Sequence, residues 1–304
     1  MRVVSLLASG TEIVCALGAG DMLVGRSHEC DNPEWVRKLP ACTRPAFDVT
    51  QSSGKIDAEV RRRVSAGEPL YHVDTKLIRE LRPDVIIAQT HCEVCAVTPG
   101  DVARAGCGAL ANQILGLGVG SLQGIYDDVG SVAGAIGLGV EGDELVGQMR
   151  GRIRAVNDAL RDRPAPTVIM LEWIDPLFST GNWGPELVEA ANGKCLVGEK
   201  GSYSQAVSWE RVREVDPDYL IVAPCGFGID RTLGEMRVLE ALTGWGDLRA
   251  VRAGQTAVAD GNLYFNRSGT TVVETVEVIA EILHGFPSAD RGGAKRFVWY
   301  SSKV

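Results

Sequence analysis

At 304 residues the chain is long enough for two domains of ordinary size, each with its own core. Hydrophobic residues make up 45% and charged residues 23%, the balance of a globular protein rather than a disordered or membrane-embedded one. A net charge of −8 argues against broad nucleic-acid binding, which needs a positive face for phosphates, and no apolar run is long enough to span a bilayer.

The chain opens on the strand signal Arg2–Leu7. Its outline resembles a short signal peptide, but Ser9-Gly10-Thr11-Glu12 interrupts the run and places a carboxylate inside it, which a secretory h-region avoids. The segment therefore reads as a strand and a helix over Thr11–Leu17, capped by Thr11 or Ser9 and ended by Gly18 and Gly20, in a cytoplasmic protein. A strand at Met22–Arg26 follows, then a loop with His28-Glu29-Cys30-Asp31-Asn32-Pro33 and a helix around Ala58–Ser65. Arg61-Arg62-Arg63 in that helix reads as a solvated face. A strand at Leu70–Val73, a helix at Thr75–Leu81 and a strand at Val85–Gln89 complete an α/β alternation.

Beyond the glycine-rich stretch Gly106–Gly120, a proline-free segment from Gly124 to Arg161 carries Ile125, Val129, Val132, Ile136, Leu145, Met149, Ile153 and Val156 at helical spacing. It predicts one long connecting helix, although Gly134, Gly137 and Gly139 interrupt it. Arg163-Pro164-Ala165-Pro166 marks a boundary. Then come a strand at Thr167–Leu171, helices around Glu186–Ala191 and Ser208–Val215, a strand at Leu220–Ala223, a helix around Leu233–Leu242, a strand near Thr256–Ala259 and a final helix at Thr271–Leu283. The organisation is a first lobe over 1–120, a connector over 121–163, a second lobe over 164–286 and a basic, aperiodic tail over 287–304.

The two lobes share a phrase. Ile78-Arg79-Glu80-Leu81-Arg82-Pro83-Asp84 leads into Val85-Ile86-Ile87-Ala88, and 134 residues later (217 − 83) Val212-Arg213-Glu214-Val215-Asp216-Pro217-Asp218 leads into Tyr219-Leu220-Ile221-Val222-Ala223. Each copy predicts a helix end, a Pro-Asp turn and a buried strand. Two similar lobes would then end central strands at a shared cleft, since open parallel sheets bind ligands beyond the carboxyl ends of their strands.

Three sets of residues could carry chemistry there. His91-Cys92-Glu93-Val94-Cys95 has the C-x-x-C spacing that brings two thiolates to one metal, and it needs a second pair. Cys30, beside His28, and Cys225 supply one, so Cys30, Cys92, Cys95 and Cys225, with His28 and His91 as alternates, form a candidate zinc or iron–sulfur set. Buried packing is the competing meaning for these thiols, and the preferred one for Cys15, Cys107 and Cys195. Aromatic residues are only 6% of the chain, yet Trp173, Phe178, Trp183, Tyr203, Phe227 and Trp245 crowd the second lobe's loops, with Glu172 next to Trp173; a large flat ligand is well held by such rings. Arg267-Ser268, ahead of the last helix, could meet an anion or merely cap the helix.

Arg2-Val3-Val4-Ser5-Leu6 with Thr11-Glu12-Ile13, Leu23-Val24-Gly25, Asp31-Asn32-Pro33, Arg82 to Ala88, Pro176 to Asn182 and Ser208-Trp209-Glu210-Arg211-Val212 together resemble the class III substrate-binding proteins of ABC transporters, most closely the vitamin B12-binding group. The resemblance covers most of residues 1–285 and implies two Rossmann-like α/β lobes joined by a long spine helix, with a ligand between them. Its implied ligands are corrinoids, haem, siderophores or metal ions. In the B12 group a glutamate on each lobe docks the transporter; here the second lobe keeps Glu210 and the first has Lys76, which points away from docking. The expected function is a cytoplasmic binding protein for a corrinoid-like or other metal-containing small molecule, with cleft cysteines as soft ligands and no membrane insertion. Two alternatives stay open: an iron–sulfur or zinc enzyme on this scaffold, and a transporter-coupled receptor.

Overall fold

The computed structural model describes residues 1–90, 96–104, 113–118, 120–287 and 295–301. In the first lobe the elements run β1 (Val3–Ser5), α1 (Ala8–Ala16), β2 (Leu23–Arg26), β3 (Thr43–Pro45), α2 (Ser53–Ala66), β4 (Tyr71–Val73), α3 (Thr75–Leu81), β5 (Val85–Gln89), α4 (Pro99–Arg104) and β6 (Ile114–Leu117). A parallel sheet has the order β2-β1-β5-β6, while β3 and β4 form a small antiparallel ribbon. The apolar opening run is thus a central strand, with Val3 and Val4 fully buried. Helix α1 starts earlier than expected and without a side-chain cap, because Ser9 and Thr11 lie inside it and are buried.

Two helices follow, α5 (Leu122–Ala135) and α6 (Gly139–Leu160), where the periodicity predicts one. The break falls at Gly137, whose φ of 79° is a left-handed conformation that glycine adopts without steric cost. The helices fold back on each other: Arg150 donates to the Gln123 side chain at 2.7 Å and stands 4.5 Å over the Tyr126 ring, and Gly142 gives α6 room against Ala133. Only α6, about 33 Å long at 1.5 Å per residue, therefore carries the chain to the second lobe.

That lobe contains β7 (Thr167–Trp173), β8 (Phe178–Ser179), α7 (Gly184–Ala190), β9 (Lys194–Cys195), α8 (Trp209–Val215), β10 (Tyr219–Val222), α9 (Ile229–Glu240), α10 (Arg249–Arg252), β11 (Thr256–Ala259), α11 (Val272–His284) and β12 (Phe297–Tyr300). Its sheet has the order β12-β11-β10-β7-β8, with β9 on β7. The tail read as aperiodic supplies β12, antiparallel to β11 with Trp299 opposite Ala257.

The repeated phrase is a repeated construction. Asp74 caps α3 through the Leu77 amide at 2.9 Å, and Ser208 caps α8 through the Arg211 amide at 3.1 Å. Both helices end on a left-handed residue, Arg82 (φ 45°) and Asp216 (φ 38°). Asp84 then accepts the backbone N–H of Arg2 at 2.7 Å and Asp218 that of Thr167 at 2.8 Å, pinning the head of the strand beside its own. The strands β5 and β10 accordingly pair with β1 and β7 in the same sense.

One apolar core runs through both lobes at the back of the molecule. Ile13 and Val14 of α1, Ile125 and Val129 of α5, Met149 and Ile153 of α6, Leu187 of α7 and Val276 and Ile279 of α11 all belong to it. Burial on this scale makes the junction a packed interior and not a loose hinge. Among the described residues no helix is long and apolar enough to cross a membrane.

Candidate functional site

A cavity of about 440 Å³ lies between the lobes at the carboxyl ends of the central strands. The loop after β2 contributes His28, Glu29 and Asp31; the segment before and along α2 contributes Phe47, Val49, Ile56, Asp57 and Val60; Leu70 and Tyr71 close that side. Opposite them stand Glu172 and Trp173 from the end of β7, Phe178, Cys225 to Phe227 after β10, Arg231 of α9 and Asn262.

The second lobe's wall is aromatic and rigid. Trp173 meets Phe227 edge-on at 5.2 Å between centroids, and its indole N–H donates to the Asp175 carbonyl at 3.1 Å. The Arg231 guanidinium lies 3.5 Å over the Phe227 ring. Across the cleft the His28 ring packs on Tyr71 at 5.5 Å, and its Nδ1 is 2.8 Å from the Thr43 hydroxyl. In the tautomer whose Nδ1–H donates to Thr43, Nε2 presents a lone pair for a metal. Burial first, and then the charge of Arg26, pull the His28 pKa down to about 4, so the ring is neutral near pH 7.

Acidic groups dominate the polar lining. Glu29, Asp31, Asp57 and Glu172 face the cavity with Arg231 as the one arginine or lysine among the described lining residues. Glu29 lines the cleft, and burial raises its pKa to about 7; Arg267 opposes the shift and Asp31 adds to it. Beside the cavity, Arg267 of the second lobe ties the lobes together. Its guanidinium donates to Glu12 at 2.6 Å and to Asp31 at 2.6 Å, while Asn262 holds Asp31 at 3.0 Å. Asn32 and Thr271 donate to the same Glu12 carboxylate, each at 3.3 Å.

The structure brings Glu172, Trp173, Phe178, Cys225, Phe227 and His28 to this cavity. Four other expected residues lie elsewhere. Trp183 precedes α7 at its N-cap position and packs on the main core, and Trp245 is buried against Trp209, 6.1 Å between ring centroids. Tyr203 is exposed and lines a separate depression with Leu196 and Arg211. Arg267, read as an anion contact or a neighbour of a helix cap, is committed to Glu12 and Asp31.

The cysteine set divides in the same way. Cys225 is exposed and faces the cavity, whereas Cys30 is buried outside its lining, accepting a hydrogen bond from Thr11 at 3.0 Å, with its pKa raised chiefly by burial. His91, Cys92 and Cys95 lie outside the described residues. Among the described residues no group of three or more His, Cys, Asp or Glu side chains is placed to hold a metal ion.

Sequence reasoning missed Tyr71, Arg231, Asn262 and the pair of Phe47 and Val49. No signal in the sequence pointed to these; Glu12, a carboxylate within an apolar run, signalled only a buried partner, which is Arg267.

Residues 3–263 match the family described as periplasmic binding protein. The chain belongs to that family. Solved periplasmic binding proteins share its fold: a periplasmic haem-binding protein from Pseudomonas aeruginosa superposes with a TM-score of 0.73 at 19% identity, covering 100% of this chain and 99% of its own. The periplasmic vitamin B12-binding protein BtuF of Vibrio cholerae gives 0.66 at 18% identity, covering 93% and 96% of the two chains. An ABC-type Fe3+-hydroxamate transport system from Saccharomonospora viridis gives 0.65 at 19%, with 93% of each chain covered. No curated protein matches the sequence. As a periplasmic binding protein, the chain is a ligand-binding protein, built here of two α/β lobes.

Proposed function

We propose that this protein holds a flat, metal-containing small molecule, corrinoid-like in character, in the interlobe cavity. One juxtaposition carries the reading: an aromatic wall of Trp173, Phe178 and Phe227 faces His28, while the Cys225 thiol opens into the same space. Rings supply apolar burial with fixed geometry, and a borderline imidazole and a soft thiolate are donors that suit a transition metal. The names of the structural neighbours, which include haem-, vitamin B12- and iron-chelate-related proteins, support a metal chelate as the class.

The lining narrows the choice. A carboxylate-rimmed chelate would meet Glu29, Asp31, Asp57 and Glu172 with only Arg231 to offset them. A neutral or cationic ligand with amide N–H groups at its rim would find acceptors instead. Spectral titration of the purified protein with aquacobalamin, haemin and a ferric hydroxamate tests this. Aquacobalamin should bind most tightly, with a visible-band shift that His28→Ala or Cys225→Ser abolishes. Tighter binding of haemin, or no spectral difference in either variant, would refute the corrinoid assignment.

We also propose that the protein acts in the cytoplasm, uncoupled from a transporter. The repeat places Lys76 and Glu210 as the second residues of α3 and α8, equivalent positions with opposite charge, where two-fold acidic docking would need like charges. Cell fractionation with a marker for each compartment tests the location.

A further inference from the structure

Apart from the Arg267 pair, the lobes meet beside the cavity through a second set of polar contacts, at one helix terminus. Helix α2 of the first lobe begins at Ser53 without a side-chain cap of its own. Glu235 of α9, in the second lobe, supplies the cap: its carboxylate accepts the Ser53 N–H at 3.0 and 3.1 Å and also the Ser53 hydroxyl. One turn earlier on α9, Arg231 donates to the carbonyls of Val49 at 2.7 Å and Gln51 at 3.0 Å. A second carboxylate, Asp175 after β7, lies against Gly54 closely enough that a Cβ there would collide with it. Thus α9 reads the backbone of segment 49–53 with a cation for its carbonyls and an anion for its amides, and α2 receives two negative charges at its positive end.

This segment is also a wall of the cavity, through Val49 and, on α2, Ile56 and Val60. The back of the molecule is a continuous apolar core that resists separation, whereas the contacts at the mouth are ones that water can replace. The apolar core and the buried Arg267–Glu12 pair hold the lobes, and the polar contacts of Glu235 and Arg231 with segment 49–53 can break and remake.

We propose that Glu235 is a positioning residue that latches α2 across the cleft, and that opening of this latch admits and releases the ligand. The proposal rests on the reading of the cavity as the ligand site. It assigns Glu235 a role although it is absent from the cavity lining.

Two variants separate the latch from general destabilisation. Glu235→Gln removes the charge and keeps the shape; Gly54→Ala leaves Glu235 intact, suits a helix interior, and inserts a methyl against Asp175. Stopped-flow quenching of tryptophan fluorescence by aquacobalamin and by haemin gives both rate constants. In each variant the association and dissociation rates should rise together by about tenfold, the scale of one charge-assisted hydrogen bond, with Kd changed less than about threefold. Hydrogen–deuterium exchange without ligand should speed up in the peptide covering 49–57 and stay unchanged in α11.

Wild-type rates and exchange in both variants would overturn the latch. So would faster dissociation with unchanged association, which would make the segment a passive wall. A wild-type protein that binds neither probe would overturn the reading of the cavity, and with it the gating; the exchange of 49–57 would then judge the interlobe contact by itself.

Discussion

Arg267→Met tests whether the lobes depend on a buried charge. The Arg267 side chain is 6% exposed and Glu12 is 2% exposed, so neither charge has water to fall back on. Removing one partner of such a pair costs about 3–5 kcal/mol, because the other is left buried and uncompensated. At an m-value of ~3 kcal/mol/M that is a fall of about 1–1.7 M in the urea midpoint. The loss should depend on pH. Burial already raises the Glu12 pKa, and Arg267 is the largest influence holding it down, so the variant raises it further. Above the unfolded value of 4.5 the unfolded chain releases this proton while the folded chain keeps it, so stability falls as pH rises through the folded pKa. Arg267→Met should therefore lose more at pH 8 than at pH 5, and adding Glu12→Gln should restore at least half of the loss at pH 8. Urea unfolding followed by far-ultraviolet circular dichroism at both pH values measures this. A loss below about 1 kcal/mol at pH 8, or no recovery in the double variant, would refute the argument.

Trp173→Ala should weaken ligand binding by about 1–3 kcal/mol, whereas Trp245→Ala should leave Kd unchanged and cost ~3–5 kcal/mol of stability; equal effects on Kd would remove the distinction between wall and core. Glu29, with a folded pKa of about 7, contributes stability that is present below 4.5 and lost as pH rises to about 7. The stability advantage of Glu29→Gln over wild type should therefore grow across that window and then level off, as measured by thermal melts at successive pH values. His28 acts with the opposite sign: its pKa is lowered from 6.5 to about 4, so its contribution is present above 6.5 and lost as pH falls towards 4. His28→Ala should flatten the acid side of the profile, and an unchanged profile would contradict the neutral, buried ring.

The elements that came through the sequence clearly are those fixed by local signals. Thr75–Leu81 and Val85–Gln89 have the bounds that their pattern predicts, and the repeated Pro-Asp phrase locates both central strands. Local rules failed where packing outweighed them. Helical periodicity ran straight through Gly137, because the apolar faces of α5 and α6 both point at the same core and keep the same spacing on either side of the turn. The tail lacks alternation because β12 pairs with β11 at the sheet edge, where the Trp299 and Phe297 rings meet edge to face.

The site was less legible, for a related reason. Residue type states what a side chain can do, and only the fold states what it faces. Trp173 and Trp245 both read as loop residues in the sequence, but one ends β7 at the cleft and the other is buried in a core cluster with Met236 and Leu239 of α9. Arg267 ahead of a helix has the local form of an anion site, yet its partners are Glu12 and Asp31, more than 200 positions away in sequence. The same holds for Glu235, which nothing in its own helix distinguishes and whose contact is the first turn of α2. Polar residues between lobes are chosen by a partner distant in sequence, so their function becomes readable only when both lobes are in place. The aromatic wall is local to one lobe, and it was therefore the part of the site that sequence could reach.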